Sequence, residues 1–305
     1  MAESSVRIGG HITLLFSIHS NSLLARNQGS RGAGLCLTDG VEAKAKIIDG
    51  QDRIIVSSMD GSLFEQGEEL YRELLKEFRG VFKVNSPVNL EVSIELPLSQ
   101  GFGMSAAGLL AAAYALADIF DVGDSGQIAR LAHRIERANS SGLGDILGIW
   151  AGGVELRIIP GAPPIPGKAK GFSANVPALL VWVPEAGKHT SCYIDDEDWK
   201  IAITIAGDKS VDHLMKMVWN RQVWPKLLEE ADRFVIDSGL MNEGGRASLL
   251  STVLDYVDSD MSCHLCMLGT SLIIVPKSLD EELDFDEVAS TLRKLGLGVR
   301  LTHLA

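Results

Sequence analysis

The chain has 305 residues, and 46% of them are hydrophobic, which is enough to bury a large core and excludes an intrinsically disordered protein. It carries 28 basic and 40 acidic residues, for a net charge of −12, with the acidic residues scattered along the chain. This balance excludes the basic footprint of a nucleic-acid-binding protein. Every apolar run is shorter than a membrane span, so we expect a soluble, cytoplasmic protein that has neither nucleic acid nor membrane as a partner.

The first half of the chain predicts strands and helices in an irregular order, which is typical of an α+β protein. Residues 41–50 and 52–58 alternate like strands, and we expect them to pair with each other. A helix is predicted for residues 62–80, and two more for residues 105–120 and 125–139. Between them lies a strictly alternating strand, which points every second residue to one face: Val88, Leu90, Val92, Ile94 and Leu96.

A proline-rich segment interrupts this pattern at residues 157–172, which contain four of the ten prolines. Proline cannot continue a helix or a central strand. We therefore predict a linker at residues 161–172, between an N-terminal domain of residues 1–160 and a C-terminal domain of residues 173–305. The C-terminal domain is predicted to contain strands at 178–184 and 271–276 and helices at 211–241 and 246–257.

Residues 97–108 form a glycine-rich turn, PLSQGFGMSAAG, between a predicted strand and a predicted helix. Gly101, Gly103 and Ala106 fit the dinucleotide-binding pattern, but the second strand with its acidic residue is missing. The common P-loop is excluded because no Gly-Lys-Ser/Thr follows the glycines. Glycines let the backbone approach a ligand closely, and a helix start offers amide donors to phosphate. A phosphate-binding loop and a ligand-free packing turn both remain open on these grounds.

The same turn resembles the ATP-binding motif of the GHMP kinases, PxxxGxGSSAA, with Met104 standing in place of the first serine. The resemblance implies a two-lobed α+β fold, with the active site in the cleft between the lobes. It also implies ATP and Mg²⁺ as cofactors, with Ser105 as a ligand of the metal. The residues that it assigns to ATP binding are Pro97, Gly101, Gly103, Met104, Ser105, Ala106 and Ala107.

Residues 136–153, ERANSSGLGDILGIWAGG, are similar to a second GHMP segment, in which Ser141 and Gly142 precede the catalytic aspartate. The resemblance implies that Asp145 is the catalytic carboxylate and that Glu136 binds magnesium together with Ser105. On the residues alone, Asp145 is equally suited to begin a helix. Phosphoryl transfer needs positioning and charge neutralisation more than covalent chemistry, and hydroxyl and carboxylate oxygens are ligands that Mg²⁺ prefers. The predicted catalytic set is therefore Asp145, Ser105 and Glu136.

Residues 9–34 carry HIT followed by GSRGAG, and with AHRIE and SGLGD they resemble the archaeal pantoate kinases. This branch of the GHMP kinases phosphorylates the 4-hydroxyl of pantoate in coenzyme A biosynthesis, and it implies substrate contacts from Ser30, His133 and Arg157. The lysine found near the start of other branches is absent, so we expect magnesium and arginine to balance the charge of Asp145. GSRGAG also offers Arg31 and glycine amides to the pantoate carboxylate.

Several alternatives stay open. Arg31 is equally suited to a structural ion pair and His133 to a helix surface contact, and His11 and Thr13 are interpreted as core residues of an apolar strand. The fold also serves homoserine, mevalonate and sugar kinases, and a non-catalytic ligand-binding protein with this fold is a further alternative. A sugar site calls for more Asn, Asp and Glu near residues 9–34, and the presence of both Asp145 and Glu136 favours an enzyme. The family resemblance also implies a homodimer.

Overall fold

The structure is a computed structural model that describes residues 2–58, 61–64, 67–139, 142–184, 197–267, 269–281 and 283–305. Within these ranges ten β-strands form two sheets. The strands are β1 (Glu3–Phe16), β2 (Gly32–Ile47), β3 (Arg53–Ser58), β4 (Val88–Ile94), β5 (Val154–Ile159), β6 (Lys168–Phe172), β7 (Pro177–Trp182), β8 (Met261–Leu265), β9 (Ser271–Pro276) and β10 (Gly298–His303).

Eight α-helices pack on the two sheets within the described ranges. Four precede the proline-rich segment and four follow it. None of them is both long enough and apolar enough to cross a membrane. They are α1 (Glu68–Phe82), α2 (Met104–Phe120), α3 (Ser125–Ala138), α4 (Asp145–Ala151), α5 (Glu197–Leu214), α6 (Trp224–Asp237), α7 (Gly244–Leu254) and α8 (Asp286–Lys294).

The long strand β2 organises the first sheet. It pairs with β1 over nearly its whole length, while β4 pairs with residues 41–47 and β5 with residues 32–35. The strand order is β3-β4-β2-β5-β6, with β1 alongside β2. Because β1 and β5 both pair with the start of β2, residues of β1 near position 11 lie close to residues of β5 near position 155.

The predicted pairing between residues 41–50 and 52–58 is wrong. Strand β4 lies between β2 and β3, and β3 runs parallel to β4. A parallel pair needs a long crossover connection, and here α1 supplies it. The alternation of a strand reveals which face is buried but not which strand is its neighbour, so the sequence pattern could not exclude a simple hairpin.

The periodic elements agree with their predicted faces. All five apolar residues of the predicted alternating strand are buried. On the predicted face of α1, Leu74, Leu75 and Phe78 are buried and Leu70 is partly buried. The helix predicted for residues 211–241 is interrupted, because α5 ends at Leu214 and α6 begins at Trp224 with proline at its N-terminus. Strand patterns and amphipathic helices are reliable here because one face of each is in contact with the core.

The second sheet has the order β10-β7-β9-β8 and is antiparallel throughout. The predicted linker differs from the structure in one respect, because Lys168–Phe172 forms β6 at the edge of the first sheet and the chain leaves that sheet only after Phe172. These five residues contain no proline, so they can pair as an edge strand. Buried residues of both halves form one continuous apolar core. The domain division itself stays a prediction.

An ion pair ties the two sheets together. The Arg300 guanidinium on β10 donates through Nη2 and Nε to the carboxylate of Asp39 on β2, at 3.0 and 3.3 Å. Burial acts to raise the pKa of Asp39, but the hydrogen bonds and charge of Arg300 outweigh it and lower that pKa. Since the folded state then holds the proton less tightly than the unfolded chain, this contribution to stability is present at neutral pH and is lost as the pH falls.

We expect Asp39→Asn to lower the free energy of unfolding by about 1 kcal/mol near pH 7, since Arg300 is partly exposed and solvent screens the pair. The difference from wild type should shrink as the pH falls below about 4, where the aspartate becomes protonated in the unfolded chain. Urea unfolding of wild type and Asp39→Asn at several pH values measures this difference in the free energy of unfolding. Arg300→Met should cost a similar amount, and the double variant little more than either alone; full additivity would contradict a direct interaction.

Candidate active site

The glycine-rich turn predicted to bind phosphate precedes α2 and packs on β1. Gly101 and Gly103 adopt the left-handed conformation, with φ of 76° and 69°. A Cβ on Gly103 would lie 2.8 Å from the carbonyl oxygen of His11, and the His11 amide donates to the Phe102 carbonyl at 3.0 Å. The turn is therefore fixed against β1 in a shape that requires glycine at position 103.

The start of α2 supplies donors at the same place. The first helical hydrogen bond runs from the Ala107 amide to the Gly103 carbonyl, so the amides of residues 104–106 precede the helical ladder. Together with the positive end of the helix dipole they favour an anion. Ser105 lies in this first turn and is partly exposed. These features fit a phosphate-binding role for the turn better than a packing role alone.

Met104 does not contribute its side chain to this surface. It is buried, and a Cβ on Gly10 of β1 would lie 2.6 Å from its Cε atom. The thioether therefore packs between α2 and β1, where a long apolar side chain fills space. The predicted contact of Met104 with ATP would therefore involve its backbone amide, which lies at the start of the helix, and not its side chain.

A second turn, around residue 269, supports the first. The Ser271 hydroxyl donates to the Gln100 carbonyl at 2.5 Å, and a Cβ on Gly101 would lie 2.6 Å from the Met267 carbonyl oxygen. Gly269 lies so close to Gln100 that a Cβ there would overlap its carbonyl. Gly269 thus has a packing function against the glycine-rich turn at residues 97–108.

Asp145 and Glu136 lie together near the start of α4. Asp145 is the first residue of α4, and Glu136 is buried on α3. A Cβ on Gly142 would overlap Oε1 of Glu136 and lie 3.0 Å from Oδ2 of Asp145, so this glycine leaves room for both carboxylates. Ser141, which the sequence pairs with Gly142, lies outside the described residues. The structure therefore brings together two of the three predicted catalytic residues.

The two carboxylates have opposite pKa shifts. Burial and the nearby charge of Asp145 raise the pKa of Glu136. Burial also acts to raise the pKa of Asp145, but the hydrogen bond and charge of His11 outweigh it and lower that pKa. Paired carboxylates with divergent pKa values are typical of sites where one group handles a proton or a cation is bound.

His11 is the principal residue of the site that sequence reasoning missed. Its imidazole is fully buried, with Nδ1 2.7 Å from Oδ1 of Asp145 and Nε2 3.0 Å from Oε1 of Glu155. Burial acts to lower the pKa of His11, but the hydrogen bonds to the two carboxylates outweigh it and raise that pKa. His11 is buried, as its interpretation as a core residue predicts. That interpretation does not account for the carboxylate in contact with each ring nitrogen.

Glu155 and Arg157 extend this cluster along β5. Both are buried, and Nε of Arg157 lies 3.3 Å from Oε1 of Glu155. The Arg157 Nη2 group also donates to the Thr13 hydroxyl at 3.2 Å. A signal for these residues exists in the sequence, because two opposite charges at alternate positions of an apolar strand must share one face. Thr13, like His11, thereby belongs to a polar cluster and not to a purely apolar core.

Ser30 and Arg157 meet at Gly144. A Cβ on Gly144 would overlap both the Ser30 hydroxyl and the Nη1 group of Arg157, so the two side chains converge directly before Asp145. The Ser30 hydroxyl is buried, and among the described residues it has no hydrogen-bond partner. A buried hydroxyl without a partner next to a guanidinium is suited to hold a carboxylate.

The glycines of GSRGAG have a different function from the predicted one. Gly32 and Gly34 are residues of β2, paired with both β1 and β5, and do not belong to a loop of amide donors. A Cβ on Gly32 would lie 2.5 Å from Nη2 of Arg157, and one on Gly34 would lie 2.6 Å from Nε2 of His11. These glycines make room for the charged side chains that cross the strand.

Arg31 is held away from this cluster. Its guanidinium donates to Asp208 at 2.9 Å and to Asp212 at 2.5 Å, both on α5, and to the Ile158 carbonyl at 3.1 Å. The structural ion pair that sequence analysis weighed is therefore present. The predicted contact of Arg31 with substrate stays a prediction, and it would have to compete with two carboxylates.

His133 is buried and faces the chain segment that leads into Ser30. Its Nε2 lies 3.2 Å from the Ala25 carbonyl oxygen, which assigns the ring proton to Nε2. Burial lowers the pKa of His133 to about 4, so the ring is neutral at physiological pH. A neutral histidine offers hydrogen bonding but no charge to a substrate, and its predicted contact with substrate stays a prediction.

The site residues fit a magnesium ion. Glu136 and Asp145 place two carboxylates side by side with a raised pKa on one of them, which is the electrostatic condition that a cation relieves. Among the described residues, no group of three or more His, Cys, Asp or Glu side chains forms a complete metal cage. Mg²⁺ commonly takes one or two protein ligands and completes its shell with water and phosphate oxygens. Glu136 suits this pattern as a protein ligand, and the predicted contribution of Ser105 stays a prediction.

Gly103→Ala tests the importance of the left-handed turn. We expect it to lower the free energy of unfolding by about 1–3 kcal/mol, because the new Cβ meets the His11 backbone and φ is unfavourable for alanine. It should also weaken binding of the nucleotide that the family resemblance implies. Gly80→Ala is the matched control, since a Cβ at Gly80 in α1 meets no atom within 4 Å. It should stabilise the protein by about 0.5–1 kcal/mol; a loss of stability at Gly80 equal to that at Gly103 would contradict this account.

Comparisons with known proteins agree with this geometry. Residues 68–153 match the family model of the GHMP kinases N terminal domain, a range that includes the glycine-rich turn and Asp145. The pantoate kinase of Thermococcus kodakarensis is 32% identical over 286 residues, which cover 91% of this chain and 88% of that protein. The chain belongs to the pantoate kinase family. The family resemblance found in the sequence motifs is thereby confirmed.

Solved structures extend the likeness of this pantoate kinase family member to the whole fold. A phosphotransferase related to the CoA biosynthesis pathway is 27% identical, with a TM-score of 0.78 over 100% of this chain and 96% of that one. A complex of MDDEF with MVAPP, AMPPCP and magnesium is 14% identical and shares the fold, with a TM-score of 0.71 over 100% of this chain and 97% of that one. The predicted α+β GHMP kinase fold is therefore confirmed.

Proposed function

We propose that this protein transfers the γ-phosphoryl group of ATP to the 4-hydroxyl of pantoate, giving 4-phosphopantoate for coenzyme A biosynthesis. The observation that carries the proposal is the convergence of Ser30 and Arg157 on Gly144, directly before Asp145. Ser30 and Arg157 are suited to bind a carboxylate, and the adjacent Asp145 is suited to accept a proton from a hydroxyl. This arrangement matches a substrate with a carboxylate at one end and a hydroxyl at the other. The names of the relatives support the same reaction.

In this proposal the phosphate-binding turn holds the triphosphate of ATP. The amides of residues 104–106 and the helix dipole of α2 stabilise its negative charge. Ser105 and Glu136 would hold Mg²⁺, which would supply positive charge to neutralise the charge that builds up on the transferred phosphoryl group. The left-handed glycines at positions 101 and 103 allow the backbone to approach the phosphates without a side chain between them.

Asp145 orients the 4-hydroxyl and accepts its proton as the phosphoryl group arrives. Its lowered pKa keeps it ionised at neutral pH, so that it is ready to accept a hydrogen bond from the hydroxyl. Its position at the first residue of α4 adds the favourable dipole of that helix. The proton-accepting oxygen is Oδ2, since Oδ1 is bound by His11.

The pantoate carboxylate is bound by Arg157 and Ser30. Arg157 is buried, so its charge is poorly screened and its hydrogen bonds to a carboxylate are strong. The predicted contact from His133 would come from a neutral hydrogen-bonding group, since burial lowers the pKa of this histidine to about 4. The cytoplasmic location and the homodimer stay predictions that accompany this proposal.

An acceptor panel tests the proposal. Purified protein is incubated with ATP and Mg²⁺ and with pantoate, homoserine, mevalonate or galactose, and ADP release is measured. Turnover with pantoate, and little with the other alcohols, is the expected result. Preferred turnover of another alcohol would keep the kinase chemistry but refute the assignment of Ser30 and Arg157 to a pantoate carboxylate. Silence with every acceptor would favour a ligand-binding protein of the same fold.

A further inference from the structure

The His11 imidazole lies at the centre of a row of four buried or partly buried charged groups. Asp145 and Glu155 flank it, at 2.7 Å from Nδ1 and 3.0 Å from Nε2, and Arg157 follows at 3.3 Å from the same Glu155 oxygen. In order, the groups are a carboxylate, an imidazole, a carboxylate and a guanidinium. If the imidazole is a cation, the charges alternate along the whole row and their sum is zero.

The two contacts of the ring determine its protonation. An ionised carboxylate only accepts hydrogen bonds, and a neutral imidazole carries one N–H group. With an acceptor at each nitrogen, the ring satisfies both only when both nitrogens carry protons. The charge of Glu155 is also balanced by Arg157, whose Nε lies near the same oxygen as the imidazole, so the row contains no buried charge without a neighbour of opposite sign.

The surrounding backbone is shaped to hold this ring in one place. A Cβ on Gly148 of α4 would lie 2.5 Å from Nε2, and one on Gly34 of β2 would lie 2.6 Å from the same atom. The backbone of His11 also contacts the phosphate-binding turn, through its amide to the Phe102 carbonyl and its carbonyl against Gly103. One residue thus connects the turn proposed to bind ATP with the carboxylate proposed to accept the proton.

We propose that His11 is a positioning residue for phosphoryl transfer: held as a cation by Glu155, it binds Oδ1 of Asp145 and directs Oδ2 toward the acceptor hydroxyl. This inference rests on the proposed function. A Cβ on Gly142 would lie 3.0 Å from Oδ2 and would overlap Oε1 of Glu136, so Oδ2 faces the glycine that Glu136 also contacts, which is the side on which we place magnesium and the phosphoryl group. The expectation that magnesium and arginine alone balance Asp145 is therefore incomplete, because a histidine cation lies next to it.

The reason for such a residue lies in the geometry of Asp145. Its side chain is about a quarter exposed, so packing alone does not fix its rotamer. Catalysis by positioning depends on holding the reacting groups within a narrow range of distance and angle. A buried hydrogen bond to one oxygen fixes the other, and the positive charge keeps the carboxylate ionised without contacting substrate.

Two isosteric variants separate the two nitrogens of the ring. In His11→Asn the side-chain amide takes approximately the place of Nδ1 and retains a donor toward Asp145. In His11→Gln it takes approximately the place of Nε2 and retains a donor toward Glu155 only. We expect kcat to fall less than about tenfold for Asn and by about 10²-fold for Gln, with the KM for ATP and for the acceptor within about threefold of wild type in both.

A structural role alone would not produce this order, since each variant keeps one of the two hydrogen bonds. Similar kcat values for both variants, or a lower kcat for Asn than for Gln, would overturn the inference. If either variant does not fold by circular dichroism, Glu155→Gln takes its place, because it keeps the shape of residue 155 and removes the charge that holds the cation. It should lower kcat about tenfold at unchanged KM, and an unchanged kcat would overturn the inference.

The outcome is distinguishable from failure of the proposed function. The order of the variants is measured with whichever acceptor the wild type phosphorylates, so turnover of another alcohol refutes pantoate as substrate and still tests His11. If the wild type turns over no acceptor, a double-mutant cycle of His11→Gln and Asp145→Asn in urea unfolding tests the contact itself. A coupling free energy indistinguishable from zero there would also overturn the inference.

Discussion

Asp145→Asn is expected to lower kcat by on the order of 10²-fold or more while the KM for ATP stays near the wild-type value. Asparagine keeps the size of the side chain and a hydrogen-bond partner for His11, but it cannot accept the hydroxyl proton. The triphosphate contacts proposed for the turn at residues 97–108 do not involve Asp145, so nucleotide binding should survive. Steady-state kinetics with both substrates varied measures the two effects separately.

Asp212→Asn is the control for the loss of an acidic charge. Asp212 is an exposed residue of α5 that contacts Arg31, 2.5 Å away, and it lies outside the proposed catalytic machinery. Its replacement should leave kcat within about twofold of wild type, since exposed ion pairs contribute little. A kcat for Asp145→Asn equal to that of wild type, or equal losses in the two variants, would refute the role assigned to Asp145.

Arg157→Lys is expected to raise the KM for pantoate by about tenfold or more, with a much smaller change in the KM for ATP. Lysine keeps a positive charge beside Glu155 but loses the planar fork that binds a carboxylate through two parallel hydrogen bonds. A tenfold change corresponds to about 1.4 kcal/mol, in the range of one lost charge-assisted hydrogen bond. The lysine variant is preferable to Arg157→Ala, which would leave Glu155 buried without its cation.

Arg31→Lys is the matched control for this experiment, because the sequence presented two arginines as candidates for the same carboxylate. Arg31 is engaged by Asp208 and Asp212, so its replacement by lysine should leave the KM for pantoate within about twofold of wild type. A rise in the KM for pantoate with Arg31→Lys and none with Arg157→Lys would reverse the assignment. Equal rises in the KM for ATP and for pantoate would count against a carboxylate contact at position 157.

The local elements of this protein were readable from sequence because each has one face in contact with the core. The alternating residues of β4 and the apolar stripe of α1 both follow from burial, which acts on every residue of the element. The order of strands depends on contacts between distant segments, and the insertion of β4 between β2 and β3 leaves no trace in the pattern of either neighbour. That is why the pairing of residues 41–50 with 52–58 was predicted wrongly.

The residues of the site show the same difference between local sequence patterns and long-range contacts. Family motifs led to Asp145, Glu136 and Ser105, which occupy short recognisable segments. The role of His11 could not be predicted, because a single histidine on an apolar strand has the same sequence pattern whether its partners are carboxylates or carbonyl groups. Its partners, Asp145 and Glu155, are more than 130 positions away in the chain. Contacts at such separation follow from strand order, which is the part of the fold that sequence periodicity does not encode.

Glycine was the residue most easily misinterpreted. Gly101 and Gly103 have the left-handed conformation that a phosphate-binding turn suggests, whereas Gly32 and Gly34 are strand residues that leave space for His11 and Arg157. The sequence cannot separate these two uses, because both require the absence of a side chain. The structure separates them by φ, which is left-handed at Gly101 and Gly103 but not at Gly32 and Gly34, whereas a Cβ would be crowded at all four positions.

The central claim is that Asp145 promotes transfer of a phosphoryl group from ATP to the 4-hydroxyl of pantoate, and ³¹P NMR of the reaction mixture tests it most directly. Wild-type protein with ATP, Mg²⁺ and pantoate should give a phosphate monoester signal split by the two methylene protons of C4, absent when pantoate is omitted and strongly reduced with Asp145→Asn. A monoester coupled to the single C2 proton, no new monoester, or equal signals from wild type and Asp145→Asn would contradict the account.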